Sequence, residues 1–151
     1  MNRTFSNKAF STSDCRELLD AARALAIQAG NAILEIYETG FEINRKADLS
    51  PVTTADLAAH RIIKQGFARL TPELPLLSEE DKRLSFADRK LWLNYWLVDP
   101  LDGTREFIKR NDEFTVNIAL IQEQRPVLGV VHVPEVRLSY FACAGGGAWR
   151  Q

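Results

Sequence analysis

The sequence predicts an α+β fold in which two helices are layered on an antiparallel sheet. In the first half of the chain, two long segments carry apolar residues at steps of three and four, as amphipathic helices do. The second half instead contains short apolar, β-rich runs separated by turn-like segments. Consecutive strands of this kind favour antiparallel pairing, with the helices covering one face of the sheet. The 151 residues suit one domain, which we place at residues 13–151, after a flexible tail at residues 1–12.

The first helix is expected to begin at residue 13 or 14. Asp14 and Glu17 have the spacing of a capping box, and Ser13 is an alternative N-cap. The apolar stripe of this helix consists of Leu18, Ala22, Leu25, Ala29, Ala32, Ile33 and Ile36. Gly40 follows the stripe and is a typical helix stop.

Residues 43–54 contain a proline and several short polar side chains, which predicts a loop. The second helix begins near Thr53 or Thr54, and Pro72 ends it. Its apolar side consists of Ala59, Ile62, Ile63, Gly66, Phe67 and Leu70. Strands are expected at residues 74–77, 93–98, 114–121, 127–133 and 138–143, with a short helical turn at 105–108 and a glycine turn at 145–147.

Charge and composition exclude several classes of protein. Nineteen basic and twenty acidic side chains give a net charge of -1, which argues against a partner that is a nucleic-acid polymer. No apolar run approaches the roughly 20 residues of a membrane-spanning helix, and residues 1–13 lack the apolar core of a secretory signal. Because Cys15 and Cys143 are too few for a disulfide framework, a reducing, cytoplasmic location is expected.

The segment that points most clearly to chemistry is residues 99–104, DPLDGT, directly after the buried strand at 93–98. Asp99 and Asp102 can converge there, and two close carboxylates repel each other unless a cation lies between them. Oxygen ligands favour Mg²⁺ over zinc or copper. Gly103 and Thr104 lead into a short helical turn, whose N–H groups favour a phosphate. The alternative interpretation is that Asp-Gly forms only a turn between two strands.

Three other polar segments also have two interpretations. The acidic run at residues 79–81 is a group of metal ligands or a solvated surface run. Asp56 either contributes to a site or is an acid favoured by the dipole of the second helix. Lys109 and Arg110 either form a solvated pair or attract a polyanionic substrate.

Taken in order, three motifs resemble the signature of the inositol monophosphatase superfamily. They are SPVTTAD at residues 50–56, LSEED at 77–81 and DPLDGT at 99–104, the last preceded by WLV. The segments REFI at 105–108 and EFTVNIAL at 113–120 are most similar to the bacterial 3'(2'),5'-bisphosphate nucleotidase branch. The resemblance implies the inositol monophosphatase-like (sugar phosphatase) fold. It also implies that this chain is the N-terminal, metal-binding half of that fold, because the second, C-terminal half of the family has no counterpart here.

The resemblance implies a role for each matching residue. Two or three Mg²⁺ ions would be bound by Glu79, Asp99, the Leu101 carbonyl and Asp102. The substrate would contact Glu79, Leu101, Asp102, Gly103 and Thr104. Three residues would orient or deprotonate the attacking water, namely Thr104, Asp48 and Glu79. Asp56 and Lys46 would support the site.

The implied reaction is Mg²⁺-dependent hydrolysis of the 3'-phosphate of adenosine 3',5'-bisphosphate to AMP and phosphate, in sulfur assimilation and nucleotide recycling. One alternative is an inositol monophosphatase-type phosphatase. Another is a non-catalytic fragment that requires a complementary half. We also expect self-association through the uncovered edge of the domain. Relatives on the cytoplasmic face of the inner membrane make a peripheral location the alternative to a free cytoplasmic one.

Overall fold

The computed structural model describes residues 9–81 and 85–151 of the chain. Within these residues, the helices are α1 (Thr12–Thr39), α2 (Thr54–Leu70), α3 (Phe86–Arg89) and α4 (Thr104–Lys109). The strands are β1 (Ile43–Arg45), β2 (Pro51–Thr53), β3 (Leu76–Ser78), β4 (Asn94–Asp102), β5 (Thr115–Gln122), β6 (Arg125–Val133), β7 (Leu138–Cys143) and β8 (Gly147–Arg150). Strands β3 to β8 form one sheet in chain order, and β1 pairs with β2. The predicted α+β class is therefore confirmed.

The pairing of the sheet differs from the prediction at one edge. Strands β4 to β8 are antiparallel to their neighbours, as expected, but β3 lies parallel to β4. A parallel pair needs a crossover connection rather than a tight turn. The long segment between Ser78 and Asn94, which contains α3, provides it. As a result, β3 and β4 run in the same direction, and Ser78 at the end of β3 lies beside Val98 of β4.

Helix α1 begins earlier than the sequence predicted. Its N-cap is Ser11, and the capping box pairs Ser11 with Asp14, so the prediction of Ser13 or Asp14 as N-cap was wrong. Asp14 is the third residue of the helix, where a carboxylate accepts from the N-cap N–H. Gly40 is the C-cap, as predicted. Residues 1–8 of the expected tail lie outside the described residues. No helix within the described ranges combines the length and apolar character needed to cross a bilayer.

Residues 43–54 are not simply a loop, because β1 and β2 form a short antiparallel ribbon there. Sequence reasoning missed it because both strands are only three residues long, β1 is exposed and β2 contains Pro51. Strand β8 was also missed, although the preceding glycine turn was expected. Its residues are all exposed, so no alternation of burial marks it.

The core lies between the two long helices and one face of the sheet. Trp96 of β4 is fully buried, stacks on Phe67 of α2 at 3.9 Å between ring centroids, and donates a hydrogen bond to Thr71 Oγ1 at 3.0 Å. Val98, two residues further along β4, is also buried. Asp99 therefore stands on a strand that is anchored by packing, which restricts the position of its carboxylate.

Candidate active site

Three carboxylates, those of Glu79, Asp99 and Asp102, interact where β3 ends alongside β4. Asp99 pairs with Asn117 in the β4–β5 ladder, and the register then shifts before Asp102 pairs with Thr115. Such a bulge redirects side chains that would otherwise alternate across the sheet. Glu79 follows β3, and its N–H donates to the Val98 carbonyl at 3.1 Å, which brings the residue alongside Asp99.

The charges at this point act directly on one another. Burial raises the pKa of Asp99 from 3.8 to about 7, and the negative charges of Glu79 and Asp102 and a hydrogen bond with Glu79 act in the same direction. The N–H of Leu101 partly offsets this by hydrogen bonding. The Oδ1 atom of Asp99 is buried and has no hydrogen-bond partner among the described residues. A buried, unpartnered carboxylate oxygen next to two further carboxylates is suited to a hard divalent cation.

Within the described residues, no group of three or more His, Cys, Asp or Glu side chains has an arrangement that could hold a metal ion by itself. Mg²⁺ typically keeps several waters and is bound through one or two carboxylates together with substrate phosphate, so it does not require a cage made only of protein side chains. The Leu101 carbonyl adds a main-chain oxygen within the turn between Asp99 and Asp102. Glu79, Asp99, Leu101 and Asp102 are thus the groups that could hold the ion.

Asn117 holds Asp102 in place. Its side-chain amide donates to Asp102 Oδ2 at 3.1 Å, and its own oxygen accepts from the Thr115 hydroxyl at 3.1 Å. Sequence reasoning missed Asn117, although a polar residue inside the apolar run at 114–121 was a usable signal. Asp102 itself is exposed, so this contact fixes a side chain that would otherwise be free to rotate.

Thr104 contacts the second helix at its first turn. Its hydroxyl donates to Asp56 Oδ1 at 3.0 Å and also lies 3.2 Å from the Leu101 carbonyl oxygen. Asp56 is fully buried, and its Oδ2 accepts from the N–H and the hydroxyl of Thr53 at 2.7 and 2.5 Å. Asp56 is therefore more than an acid favoured by the helix dipole, because it joins the start of α2 to Thr104.

Gly103 permits the turn between Asp102 and Thr104. Its φ is 92°, a left-handed conformation that a residue with a Cβ rarely adopts. A Cβ at this position would lie 2.6 Å from the Glu113 carbonyl oxygen. The turn is anchored on the other side by Phe107 of α4, which is fully buried against Tyr37, Phe41 and Phe114.

Lys46 connects the β1–β2 ribbon to the acidic run. Its Nζ lies 3.0 Å from Glu79 Oε1 and 2.8 Å from Glu80 Oε1. Burial opposes the charged form of Lys46, but the two glutamates raise its pKa overall. The Glu80 side chain is 4% exposed against 54% for Glu79, and burial raises the pKa of Glu80 despite Lys46. The solvated-run interpretation therefore fails for Glu80, whose burial the sequence did not reveal.

Asp48 lies in the connection between β1 and β2. It is exposed, and its Oδ1 accepts from the N–H and hydroxyl of Ser50 at 3.1 and 2.6 Å. It lines the same open cleft, of about 1550 Å³, as Lys46, Glu79 and Asp99. The segment 101–104 does not line this cleft. The structure thus places Asp48 on the wall of the cleft that Glu79 and Asp99 also line.

The chain matches the inositol monophosphatase family over residues 14–151. It is 53% identical over 136 residues to the 3'(2'),5'-bisphosphate nucleotidase CysQ of Salmonella typhimurium, an alignment that covers 89% of this chain and 54% of that protein. The crystal structure of CysQ from Bacteroides thetaiotaomicron has a TM-score of 0.76 at 48% identity, covering 89% of this chain and 49% of that one. An IMPase/NADP phosphatase complexed with Mg²⁺ and phosphate has a TM-score of 0.79 at 24% identity, covering 90% and 51%, and shares the fold. The chain spans about half the length of the curated relatives it matches.

Proposed function

This chain belongs to the inositol monophosphatase family, and we propose that it provides the residues that bind the metal ions and the substrate phosphate in a phosphomonoesterase. The proposed reaction is Mg²⁺-dependent hydrolysis of the 3'-phosphate of adenosine 3',5'-bisphosphate, giving AMP and phosphate, within sulfur assimilation and nucleotide recycling. The observation that carries the chemistry is the buried, unpartnered oxygen of Asp99 beside Glu79 and Asp102. The choice of substrate rests on the identity to the CysQ nucleotidases.

Glu79, Asp99, Asp102 and the Leu101 carbonyl would hold the cations, of which we propose two or three. When bound, Mg²⁺ supplies positive charge that polarises a phosphate and lowers the pKa of a water. The negative charges of Glu79, Asp99 and Asp102 repel one another, and a bound cation would relieve this repulsion. Asn117 keeps Asp102 in the orientation in which it faces this group.

Thr104 is suited to orienting the attacking water. A hydroxyl has one proton, and Thr104 directs it towards Asp56 Oδ1 and the Leu101 carbonyl oxygen. Its lone pairs are thereby left to accept a hydrogen bond from water. Thr53 in turn holds Asp56, so the direction of the Thr104 hydroxyl is set by the start of α2.

The proton released by the water needs an acceptor near the cleft. We assign it to the Glu79 carboxylate, which is half-exposed and lies beside Asp99, with Asp48 on the wall of the same cleft as the second acceptor. Lys46 contacts Glu79 and Glu80 and keeps part of this negative charge balanced before substrate binds. The main chain at Gly103, which has no side chain to block it, would contact the phosphate.

Calorimetric Mg²⁺ titration and phosphate release test the proposal on the purified chain. We expect Mg²⁺ binding to the chain and to Asp20→Asn, a control that removes one exposed charge from α1, and none to Asp99→Asn. Phosphate release should be faster from adenosine 3',5'-bisphosphate than from myo-inositol monophosphate. An equal or reversed preference rejects the nucleotidase assignment. Mg²⁺ binding without turnover supports the alternative, a half that needs its complement.

We also propose that the chain self-associates through the edge of the sheet formed by β8. A second proposal is that the protein is located in the cytoplasm. Strand β8 pairs with β7 on one side, and all its residues are exposed. An edge strand of this kind is a template for pairing with another chain. Sedimentation at rising protein concentration tests the proposal of self-association, and a monomer at every concentration rejects it.

The proposed cytoplasmic location agrees with the two cysteines. Cys15 and Cys143 are unpaired thiols, as expected in a reducing compartment.

A further inference from the structure

One face of helix α2 contacts two separate parts of the candidate site. Asp56, His60 and Lys64 follow one another at steps of four residues and so lie on the same face. Asp56 receives the hydrogen bond from Thr104, as described above. His60 and Lys64 instead contact the turn after β3, which carries Glu79 and Glu80.

The imidazole of His60 reaches both ends of that turn. Its Nδ1 lies 2.9 Å from Ser78 Oγ, and its Nε2 lies 3.5 Å from Asp81 Oδ1. The turn itself is closed by the Asp81 N–H, which donates to the Ser78 carbonyl at 3.2 Å. Lys64 adds an ion pair with Asp81. Glu79 and Glu80 are the two central residues of the turn, so His60 spans the segment that presents them.

A single tautomer satisfies these contacts. The Glu80 N–H points to Ser78 Oγ at 3.4 Å, so the Ser78 hydroxyl can give its own proton to His60 Nδ1. The proton on Nε2 then faces Asp81. Burial lowers the pKa of His60, which agrees with a neutral ring of this kind. The hydrogen bonds thus run in one direction from the main chain of Glu80 to the imidazole.

We infer that His60 is a positioning residue that holds the Ser78–Asp81 turn so that Glu79 faces Asp99 and Glu80 faces Lys46. The inference rests on the proposed function, because the orientation of Glu79 matters for activity only if Glu79 binds the cation. Glu79 and Asp99 repel each other before a cation binds, and Glu79 is half-exposed, so an unrestrained turn would release it to solvent. Because His60 holds the turn before a cation binds, less conformational freedom of Glu79 is lost on binding, and cation binding is more favourable.

Two measurements on the purified chain test this role. Hydrogen–deuterium exchange of the peptide spanning residues 76–81, without metal, reports on the turn itself. We expect His60→Ala to speed exchange of the Glu80 amide about tenfold, the scale of one lost hydrogen bond in a small network. In a Mg²⁺ titration, the His60→Ala variant should bind Mg²⁺ about tenfold or more weakly than the unaltered chain, as is typical when a residue that supports a metal ligand is removed.

Matched variants separate positioning from general destabilisation. His60→Asn keeps an acceptor near the place of Nδ1 and should recover part of the lost protection and affinity. Gln65→Ala, at an exposed position of the same helix, should change neither measurement. Ser78→Ala removes the hydroxyl without altering α2 and should reproduce the effect of His60→Ala, which keeps the test decisive if His60→Ala does not fold.

Each outcome decides the inference. Unchanged exchange in both His60→Ala and Ser78→Ala overturns it. Faster exchange with unchanged Mg²⁺ affinity also overturns it, because the turn would then be held for stability alone, while the proposed function stands. If the unaltered chain binds no Mg²⁺, the metal site of the proposed function fails and the inference fails with it.

Discussion

Replacing Asp99 by asparagine should stabilise the metal-free chain above pH 7 and remove its response to Mg²⁺. The carboxyl group is partly buried, and burial together with the charges of Glu79 and Asp102 raises its pKa from 3.8 to about 7. Asparagine mimics the neutral, protonated form of this side chain at every pH. The Asp99→Asn variant therefore avoids the cost of ionising the group but lacks a ligand that we assign to the cation.

The sign and size of the effect follow from proton linkage. Folded Asp99 binds its proton more tightly than the unfolded residue does. Its contribution to the free energy of unfolding is therefore present below pH 3.8, falls as the pH rises to about 7, and stays low above that. At ~1.4 kcal/mol for each unit of pKa the full difference is about 4 kcal/mol, which solvent screening of a partly exposed group reduces. We expect a gain of about 2 kcal/mol at pH 8, or a melting temperature about 6 °C higher.

Thermal unfolding followed by circular dichroism measures this difference, with a chelator and then with excess Mg²⁺. Near pH 4 the unaltered chain and the variant should unfold at the same temperature, since Asp99 is then protonated. At pH 8 the variant should be more stable in chelator, whereas Mg²⁺ should stabilise only the unaltered chain. The control Asp20→Asn should follow the unaltered chain throughout. A variant that is less stable at pH 8 in chelator, or that Mg²⁺ stabilises equally, refutes the reasoning.

Three further changes test the surrounding contacts. Lys46→Met should cost about 1–3 kcal/mol in denaturant unfolding near neutral pH, because the buried carboxylate of Glu80 loses its ion pair; no loss would contradict that pairing. Gly103→Ala should lower stability by about 1–3 kcal/mol in calorimetry, given its φ of 92°. Gly129→Ala, where a Cβ meets nothing closer than 3.9 Å, is its control. Thr104→Ala should slow phosphate release about a hundredfold, and Thr104→Ser should restore it; equal rates in all three chains would remove Thr104 from the mechanism.

The elements with strong periodicity were predicted well. Helix α2 begins at Thr54, and β7 spans residues 138–143, as the sequence indicated. The elements that were missed, β1, β2 and β8, are short, and they exist because a neighbouring strand supplies their hydrogen bonds. No local pattern reports such a partner. The parallel pairing of β3 with β4 likewise depends on the path of the chain through a long connection.

The candidate site divides in the same way. Asp99, Asp102, Gly103 and Thr104 lie within six consecutive residues, so their convergence was readable from the motif. The contact of Thr104 with Asp56 joins residues 48 positions apart, and that of Lys46 with Glu80 joins residues 34 positions apart. Order along the chain suggested that these motifs belong together but not which atoms touch.

The sequence by itself determined the class of fold and the family, and it indicated the oxygen ligands that we propose, because the spacing of apolar residues and short motifs are local properties of the chain. Only the tertiary structure decided that Glu80 is buried while Glu79 is half-exposed, and that His60 spans their turn. The physical reason is that burial and hydrogen bonding depend on what the rest of the molecule places opposite a side chain. Adjacent residues of the same type in one turn therefore acquire different environments, and here different proposed roles.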